Sequence, residues 1–222
     1  MEDKQIQAIE NCRLKIPCPA ITPDKAKKID SFFNCEKILY AAKGPSLEKY
    51  KLFDQYEHIA TVNEACCKID KGIEYAFFFD KNAILNSKES WNKIKNFVSP
   101  SYVFEDEIDA DPVSISNIEN FPLYRSIYFE EDQMDFDKSA IQRKITNKQL
   151  LTVDTAIMGL HYLVLAGYKE IFLLGHDGGI GYAEGIPCLK KNRNMQQFRD
   201  RIEFCSKLLR QAHGVRIIFY EQ

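Results

Sequence analysis

A short apolar segment that stops at a Gly-Pro-Ser turn is the first candidate for ligand chemistry. Residues 37–42 read KILYAA, and the run ends at Lys43, Gly44, Pro45 and Ser46. A strand that enters such a turn just before a helix presents free backbone N–H groups at one point, which suits a phosphate or another anion. The segment therefore predicts a nucleotide-type ligand, and a plain strand-to-helix turn is the alternative.

Two further apolar segments end in a polar side chain. One runs to Asn63, and the next, residues 74–79, is followed by Asp80. In an open α/β sheet the carboxyl ends of the strands border one crevice, where an amide or a carboxylate can bind a base or a sugar. Both residues are therefore candidate nucleotide ligands, and helix capping is the alternative for each.

A helix predicted to begin at Thr155 leads through a glycine turn into another strand. Asp154 and Thr155 lie at its N-terminus, where free amides and the helix dipole favour an anion and where the two side chains can also cap the helix. His161, further along, has apolar neighbours and no metal-ligand partner four residues on. We expect His161 to be structural.

A polar, glycine-rich loop follows the strand predicted over residues 170–175. It places Gly175, His176 and Asp177 at the same crevice, with Tyr182 close behind, and its glycines let the backbone approach a ligand. The imidazole of His176 could act as a general base near neutral pH if a neighbouring carboxylate orients it. Otherwise His176 makes a hydrogen bond to a ligand or is simply a loop residue.

The whole chain alternates short apolar runs with helical patterns, which indicates a mostly parallel, twisted sheet with helices on both faces. The chain has 222 residues, of which 45% are hydrophobic, and this is enough to bury a full core. We therefore expect one Rossmann-like α/β domain over residues 1–222. The predicted strands are residues 37–42, 58–63, 74–79, 102–104, 124–129, 170–175 and 215–220, and helices are predicted over residues 22–33, 87–96 and 194–212 besides the one at Thr155.

An acidic insertion near residues 105–120 has no periodic pattern and is predicted to be a surface connection. Its carboxylates match no calcium loop, so we predict no metal site there.

Composition narrows the class of partner. A formal net charge of −2 disfavours a nucleic acid as the main partner. Seven cysteines without a repeated C-x-x-C spacing indicate neither a zinc site nor a disulfide framework, which fits a reducing, cytoplasmic location.

The polar N-terminus does not resemble a signal peptide, and no segment is apolar enough to span a bilayer. Membrane contact would come through a partner or a peripheral surface.

The order of these motifs, from the Gly-Pro-Ser turn to Tyr182, resembles the bacterial CMP-sialic-acid-dependent sialyltransferases that decorate lipooligosaccharide. It is similar also to Kdo transferases of lipopolysaccharide cores, and to a domain of flagellin-modifying Maf proteins and archaeal 6-hydroxymethylpterin pyrophosphokinases. The resemblance implies a metal-independent glycosyltransferase without a cofactor. Its partners would be a CMP-sugar donor and a glycan acceptor.

The resemblance also implies roles for single residues. The Gly-Pro-Ser turn and Asn63 would surround the nucleotide, and Thr155 would contact the donor. Tyr182 matches the second of two tyrosines that stabilise the leaving phosphate, whereas the first position is Gly179 here. Lys43 stands where the family usually has an asparagine, so it would bring a positive charge to the crevice.

The lid after this loop departs further from the pattern of the sialyltransferases. Those sialyltransferases carry a histidine general base on a long lid, but the lid here is shortened to about residues 178–193 and has no histidine. The base would then be His176 or Asp177. Lys190, Lys191 and Arg193 could neutralise the leaving phosphate, or they could simply be a basic segment before the last helix.

Two other functions remain open from the sequence. An ATP- and Mg²⁺-dependent pyrophosphokinase-like enzyme would use Asp80 and Asp177 to hold the metal. A nucleotide-binding module that has lost its chemistry is the second alternative, since the lid histidine is missing.

Overall fold

A parallel sheet forms the centre of the chain in the computed structural model, which describes residues 37–100, 127–129, 134–178, 181–186 and 195–220. Within those residues the sheet has seven strands in the order β5-β4-β3-β2-β1-β6-β7, and every neighbouring pair is parallel. The strands are β1 (Lys37–Ala41), β2 (Ile59–Val62), β3 (Ile73–Phe77), β4 (Ile94–Pro100), β5 (Ile127–Phe129), β6 (Glu170–Leu174) and β7 (Arg216–Phe219).

Both faces of this sheet are covered. In β1, Ile38 and Tyr40 belong to one buried cluster, whereas Leu39 and Ala41 belong to another. Successive side chains of a strand point to opposite faces, so the two clusters are the cores on the two sides of the sheet. The α/β fold with a parallel sheet and helices on both faces is therefore confirmed.

Four α-helices and three 3-10 helices accompany the strands in the described part of the chain. The helices predicted to begin at Thr155 and to cover residues 194–212 are both confirmed as helices. The α-helices are α1 (Lys81–Asn86), α2 (Lys138–Thr146), α3 (Thr155–Leu165) and α4 (Met195–His213), and the 3-10 helices are Pro45–Phe53, Asn63–Lys68 and Lys88–Lys93.

Helix α3 packs directly on the sheet. The Tyr40 hydroxyl donates to the carbonyl of Ala156 at 2.9 Å. A Cβ placed on Gly159 would lie only 2.2 Å from the Tyr40 hydroxyl oxygen and 2.7 Å from the Phe77 ring, so the close approach of α3 requires glycine there.

The helix predicted over residues 87–96 is only partly correct, because residues 88–93 are helical and residues 94–96 are not. A 3-10 helix ends at Lys93, and the residues that follow are strand β4. Ile94, Phe97 and Val98 have the spacing of a helix face, but all three are buried in the sheet, where β4 pairs with β3. Tertiary pairing outweighs the local pattern here.

Several predictions concern residues that the structure does not describe: the helix over residues 22–33, the strand over residues 102–104 and the acidic insertion at 105–120. Of the strand predicted over residues 124–129, the described part, Ile127–Phe129, is β5. The prediction of one domain over residues 1–222 stays a prediction.

In the described ranges no helix is both long and apolar enough to cross a membrane.

The strand order changes direction at β1. From β1 the chain adds β2 to β5 on one side and then returns to place β6 on the other side of β1. In doubly wound sheets this arrangement leaves a crevice at the carboxyl ends of the two strands, and ligands bind there.

Candidate functional site

Three hydrogen bonds join the turn after β1 to the end of β6 at this crevice. The Gly44 N–H donates to the Gly175 carbonyl at 2.8 Å, and the Gly175 N–H donates to the Ser46 hydroxyl at 2.8 Å. The Ser46 N–H donates to Oδ2 of Asp177 at 2.7 Å. Four predicted site residues from two distant parts of the sequence therefore lie together.

The two glycines are needed for this approach. A Cβ on Gly44 would lie 2.5 Å from both Oδ2 of Asp177 and the carbonyl oxygen of Gly175. Gly175 has φ of +75°, and a Cβ there would lie 2.1 Å from the carbonyl oxygen of Ala42. Only glycine fits either position without moving the backbone.

One part of the prediction for this turn is wrong. The turn was expected to present free N–H groups, but those of Gly44 and Ser46 are donated to Gly175 and Asp177, and that of Leu47 is donated back to the Gly44 carbonyl. Pro45 has no N–H. The turn therefore brings its backbone close to the crevice but does not offer these N–H groups to an anion.

Asn63 lies beside this turn, at the end of β2, which pairs with β1. Its φ is +49°, a left-handed conformation that is unusual for a residue other than glycine. Its Oδ1 atom is buried and has no hydrogen-bond partner among the described residues. A strained backbone and an unpaired buried acceptor both cost free energy, and such costs are typical of ligand-binding positions.

Asp80 and Asp154 both act as helix caps. Oδ1 of Asp80 accepts from the Asn82 N–H at 2.8 Å at the start of α1, and Oδ1 of Asp154 accepts from the Ile157 N–H at 2.9 Å at the start of α3. Burial raises the pKa of the Asp154 carboxyl. Thr155 is buried at the same helix end, which lies at the carboxyl edge of the sheet because α3 leads back into β6.

His176 lies on the core side of the crevice. It is 8% exposed, and its ring centroid lies 5.0 Å from that of Tyr40. Burial, assisted by the charge of Arg199, lowers the pKa of His176 to about 3. The ring is therefore neutral near pH 7 and is a weak base, which argues against the predicted role as general base.

Lys43 forms an ion pair with a residue that the sequence analysis did not identify as part of the site. Its Nζ lies 2.7 Å from Oε2 of Glu64, a carboxylate that is 1% exposed. The positive charge that Lys43 was expected to bring to the crevice is therefore paired with Glu64. Glu64 follows Asn63 directly, but nothing in its sequence neighbourhood distinguishes it from a surface residue at a helix start.

Tyr182 completes the described part of the crevice. It is half-buried, and Nζ of Lys43 lies 4.7 Å from its ring centroid. Gly179, Lys190, Lys191 and Arg193 lie outside the described residues. No group of three side chains that could hold a metal ion is found in the part of the chain that the structure describes.

The sheet and its crevice define a doubly wound α/β protein. Neither a protein-family model nor a curated protein matches the chain. Among solved structures, the monofunctional alpha-2,3-sialyltransferase Cst-I from Campylobacter jejuni is 18% identical, with a TM-score of 0.51 over 84% of this chain and 76% of that chain. CstII from Campylobacter jejuni in complex with CMP-3FNeuAc is 13% identical, with a TM-score of 0.47 over 83% of this chain and 80% of that chain.

The likeness to Cst-I shows a shared fold. At 18% identity over most of both chains it shows nothing beyond the fold. The wider resemblance to Maf proteins and pterin pyrophosphokinases is not supported by this likeness.

Proposed function

We propose that the chain is a glycosyltransferase that uses a CMP-activated sugar of the sialic acid or Kdo type in surface glycan synthesis. The observation that carries the proposal is Asn63, which combines a left-handed backbone with a buried, unpaired amide oxygen as far as the described residues extend. A side-chain amide both donates and accepts, as a cytosine or a ribose requires. The shared fold with a sialyltransferase and the order of the motifs support the same conclusion.

The donor would lie across the carboxyl ends of β1 and β6. At Gly44 and Gly175 the protein's own atoms fill the space that a side chain would take, so the two segments pack closely and would form the floor of the donor site. Asn63 would bind the nucleoside from the β2 side, and Thr155 at the α3 N-terminus would face the sugar and its phosphate. The basic residues Lys190, Lys191 and Arg193 remain proposed phosphate contacts.

In the proposed reaction an acceptor hydroxyl attacks the anomeric carbon of the sugar. The bond from that carbon to the phosphate oxygen breaks, and CMP leaves with the electron pair. The Tyr182 hydroxyl would donate a hydrogen bond to the phosphate as its charge develops. Of the two residues predicted as base, Asp177 fits better than His176, because Asp177 is half-exposed at the crevice and His176 is buried with a lowered pKa.

The geometry does not favour the Mg²⁺-dependent alternative. Asp80 follows β3 and Asp177 follows β6, with β2 and β1 between them. Three strand spacings amount to about 14 Å, too far for two carboxylates to share one ion. Each carboxylate also accepts a backbone N–H within the protein.

The test is release of CMP from CMP-sialic acid and from CMP-Kdo by the purified protein in EDTA. The proposal predicts steady release of CMP from at least one donor, accelerated by lipooligosaccharide or an oligosaccharide acceptor and unchanged by Mg²⁺. Gly72→Ala is a suitable control for the effect of a substitution outside the site, since nothing lies within 4 Å of the added Cβ and CMP release should be unchanged. Turnover of ATP with Mg²⁺, and of neither CMP-sugar, would contradict the proposal.

A further inference from the structure

We propose that Glu64 is a positioning residue of the donor site. Through the ammonium group of Lys43 it holds the ring of Tyr182, and so it joins the segments that follow β1, β2 and β6. This inference rests on the proposed function, in which Tyr182 meets the leaving phosphate.

Glu64 is a buried carboxylate with two polar partners. Oε2 lies 2.7 Å from Nζ of Lys43, and Oε1 accepts from the side-chain amide of Asn86 at 3.4 Å. A buried carboxylate is stable only when it is paired, so this side chain is held in one arrangement. It directly follows Asn63, whose left-handed backbone redirects the chain at the end of β2.

Lys43 in turn makes two contacts with the loop after β6. Its Nζ lies 4.7 Å from the centroid of the Tyr182 ring, which is within range of a cation–π interaction. Its carbonyl accepts from the Ala183 N–H at 2.8 Å. The side chain of Lys43 is 17% exposed, so its ammonium is partly removed from water at this point.

The ion pair is what keeps the lysine there. A lysine has a long, flexible side chain and a strongly hydrated charge, so without Glu64 it would turn to solvent. The Tyr182 ring would then lose its partner on one face. Glu64 thus acts on Tyr182 through Lys43 and does not itself need to touch the donor.

A different role for Lys43 predicts the opposite result. If Lys43 bound the donor phosphate directly, Glu64 would compete with that phosphate for the ammonium. Removing the charge of Glu64 would then tighten CMP binding. Under the positioning role, the same change weakens CMP binding because Tyr182 is no longer held.

The first measurement is the affinity for CMP by titration calorimetry. Glu64→Gln should weaken CMP binding about fivefold in the natural chain. In a Tyr182→Ala background the same change should alter CMP affinity by less than about twofold, because the group on which Glu64 acts is gone. Equal losses in both backgrounds, or tighter binding in Glu64→Gln, would overturn the inference.

The second measurement needs no ligand. In protein labelled with 3-fluorotyrosine, the fluorine signal of Tyr182 is identified by its loss in Tyr182→Phe. That signal should move by more than its line width in Glu64→Gln and in the charge-free double variant Lys43→Met/Glu64→Gln, which leaves no buried charge unpaired. Glu48→Gln, which removes a half-exposed carboxylate 3.5 Å from Lys68, is the matched control and should leave the signal in place.

The two measurements separate the inference from the proposed function. A natural chain that binds no CMP contradicts the proposed function, and the fluorine signal alone then decides whether Glu64 positions Tyr182. A Tyr182 signal that stays in place in both Glu64 variants overturns the inference even if CMP binds.

Discussion

The buried amide oxygen of Asn63 has no hydrogen-bond partner within the described structure, in contrast to the carboxylates of Asp80 and Asp177. Asp80 caps a helix, and Asp177 fixes the turn after β1. The sequence placed all three at the carboxyl edge, because strand ends are visible as the ends of apolar runs. It could not separate a cap from a ligand-binding residue, since both use the same residue types.

Two substitutions at Asn63 separate its side chain from its backbone. Both Asn63→Gly and Asn63→Ala remove the amide, so each should weaken CMP binding about tenfold. Glycine adopts the φ of +49° without strain, whereas alanine pays a steric cost, so the alanine variant should be about 1 kcal/mol less stable than the glycine variant. Calorimetry and urea unfolding measure the two effects. Unchanged CMP affinity in the glycine variant would remove Asn63 from the site.

The buried histidines predict how stability depends on pH. Burial lowers the pKa of both His161 and His176 to about 3, from the usual 6.5. Below about pH 6.5 the unfolded chain therefore binds protons that the folded chain does not bind until about pH 3. The free energy of unfolding should fall by about 2 kcal/mol per histidine between pH 7 and pH 5.

His161→Gln isolates one of these two contributions. Nδ1 of His161 accepts from the Leu151 N–H at 3.2 Å, and a glutamine oxygen can accept that hydrogen bond. Urea unfolding of this variant at the two pH values should show a smaller loss of stability than the natural chain by about 2 kcal/mol. The same loss in both proteins would contradict the assignment.

Among the helices and strands, the apolar runs predicted every described strand except β4, and the helical patterns predicted α3 and α4 but not α1 or α2. Helix α4 shows an amphipathic pattern over 19 residues, and α3 is a long apolar segment before a glycine turn. Strand β4 was missed because the predicted helix over residues 87–96 extends over its first three residues, and the pairing of β4 with β3 decides between the two structures. The expectation of free N–H groups in the turn after β1 was wrong for a related reason, since Gly44 and Ser46 donate theirs to residues far away in sequence.

The contact between the turn after β1 and the end of β6 should be the most sensitive point of the backbone. Gly44→Ala and Gly175→Ala should each lower the free energy of unfolding by at least about 2 kcal/mol, because the added Cβ meets backbone or carboxylate atoms at 2.5 Å or less. Gly72→Ala, with open space around its Cβ, should change it by less than about 0.5 kcal/mol. Urea unfolding of the three variants tests this. Equal stability of all three would mean that the two segments do not approach each other in this way.

At the level of the whole molecule, the strand order decides what the residues can do together. The alternation of strands and helices predicted a parallel sheet, but it did not give the order of the strands. The order places β1 between β2 and β6, and so it brings Asn63, the Gly44 turn and Asp177 to one crevice. The Lys43–Glu64 pair depends on the same adjacency of β1 and β2, so no local pattern could have predicted it.

Ligand-dependent thermal stability tests the central claim, a CMP-sugar site at this crevice, most directly. The melting temperature would be measured with CMP, CDP, CMP-sialic acid, ATP, GDP and UDP, each with Mg²⁺ and with EDTA. A ligand at about a hundred times its dissociation constant adds about 2.7 kcal/mol, which is a rise of about 5–10 °C for a chain of this length. We expect such a rise with CMP and CMP-sialic acid, the same in EDTA as in Mg²⁺. A rise with ATP and Mg²⁺ alone, or with none of these ligands, would contradict the account.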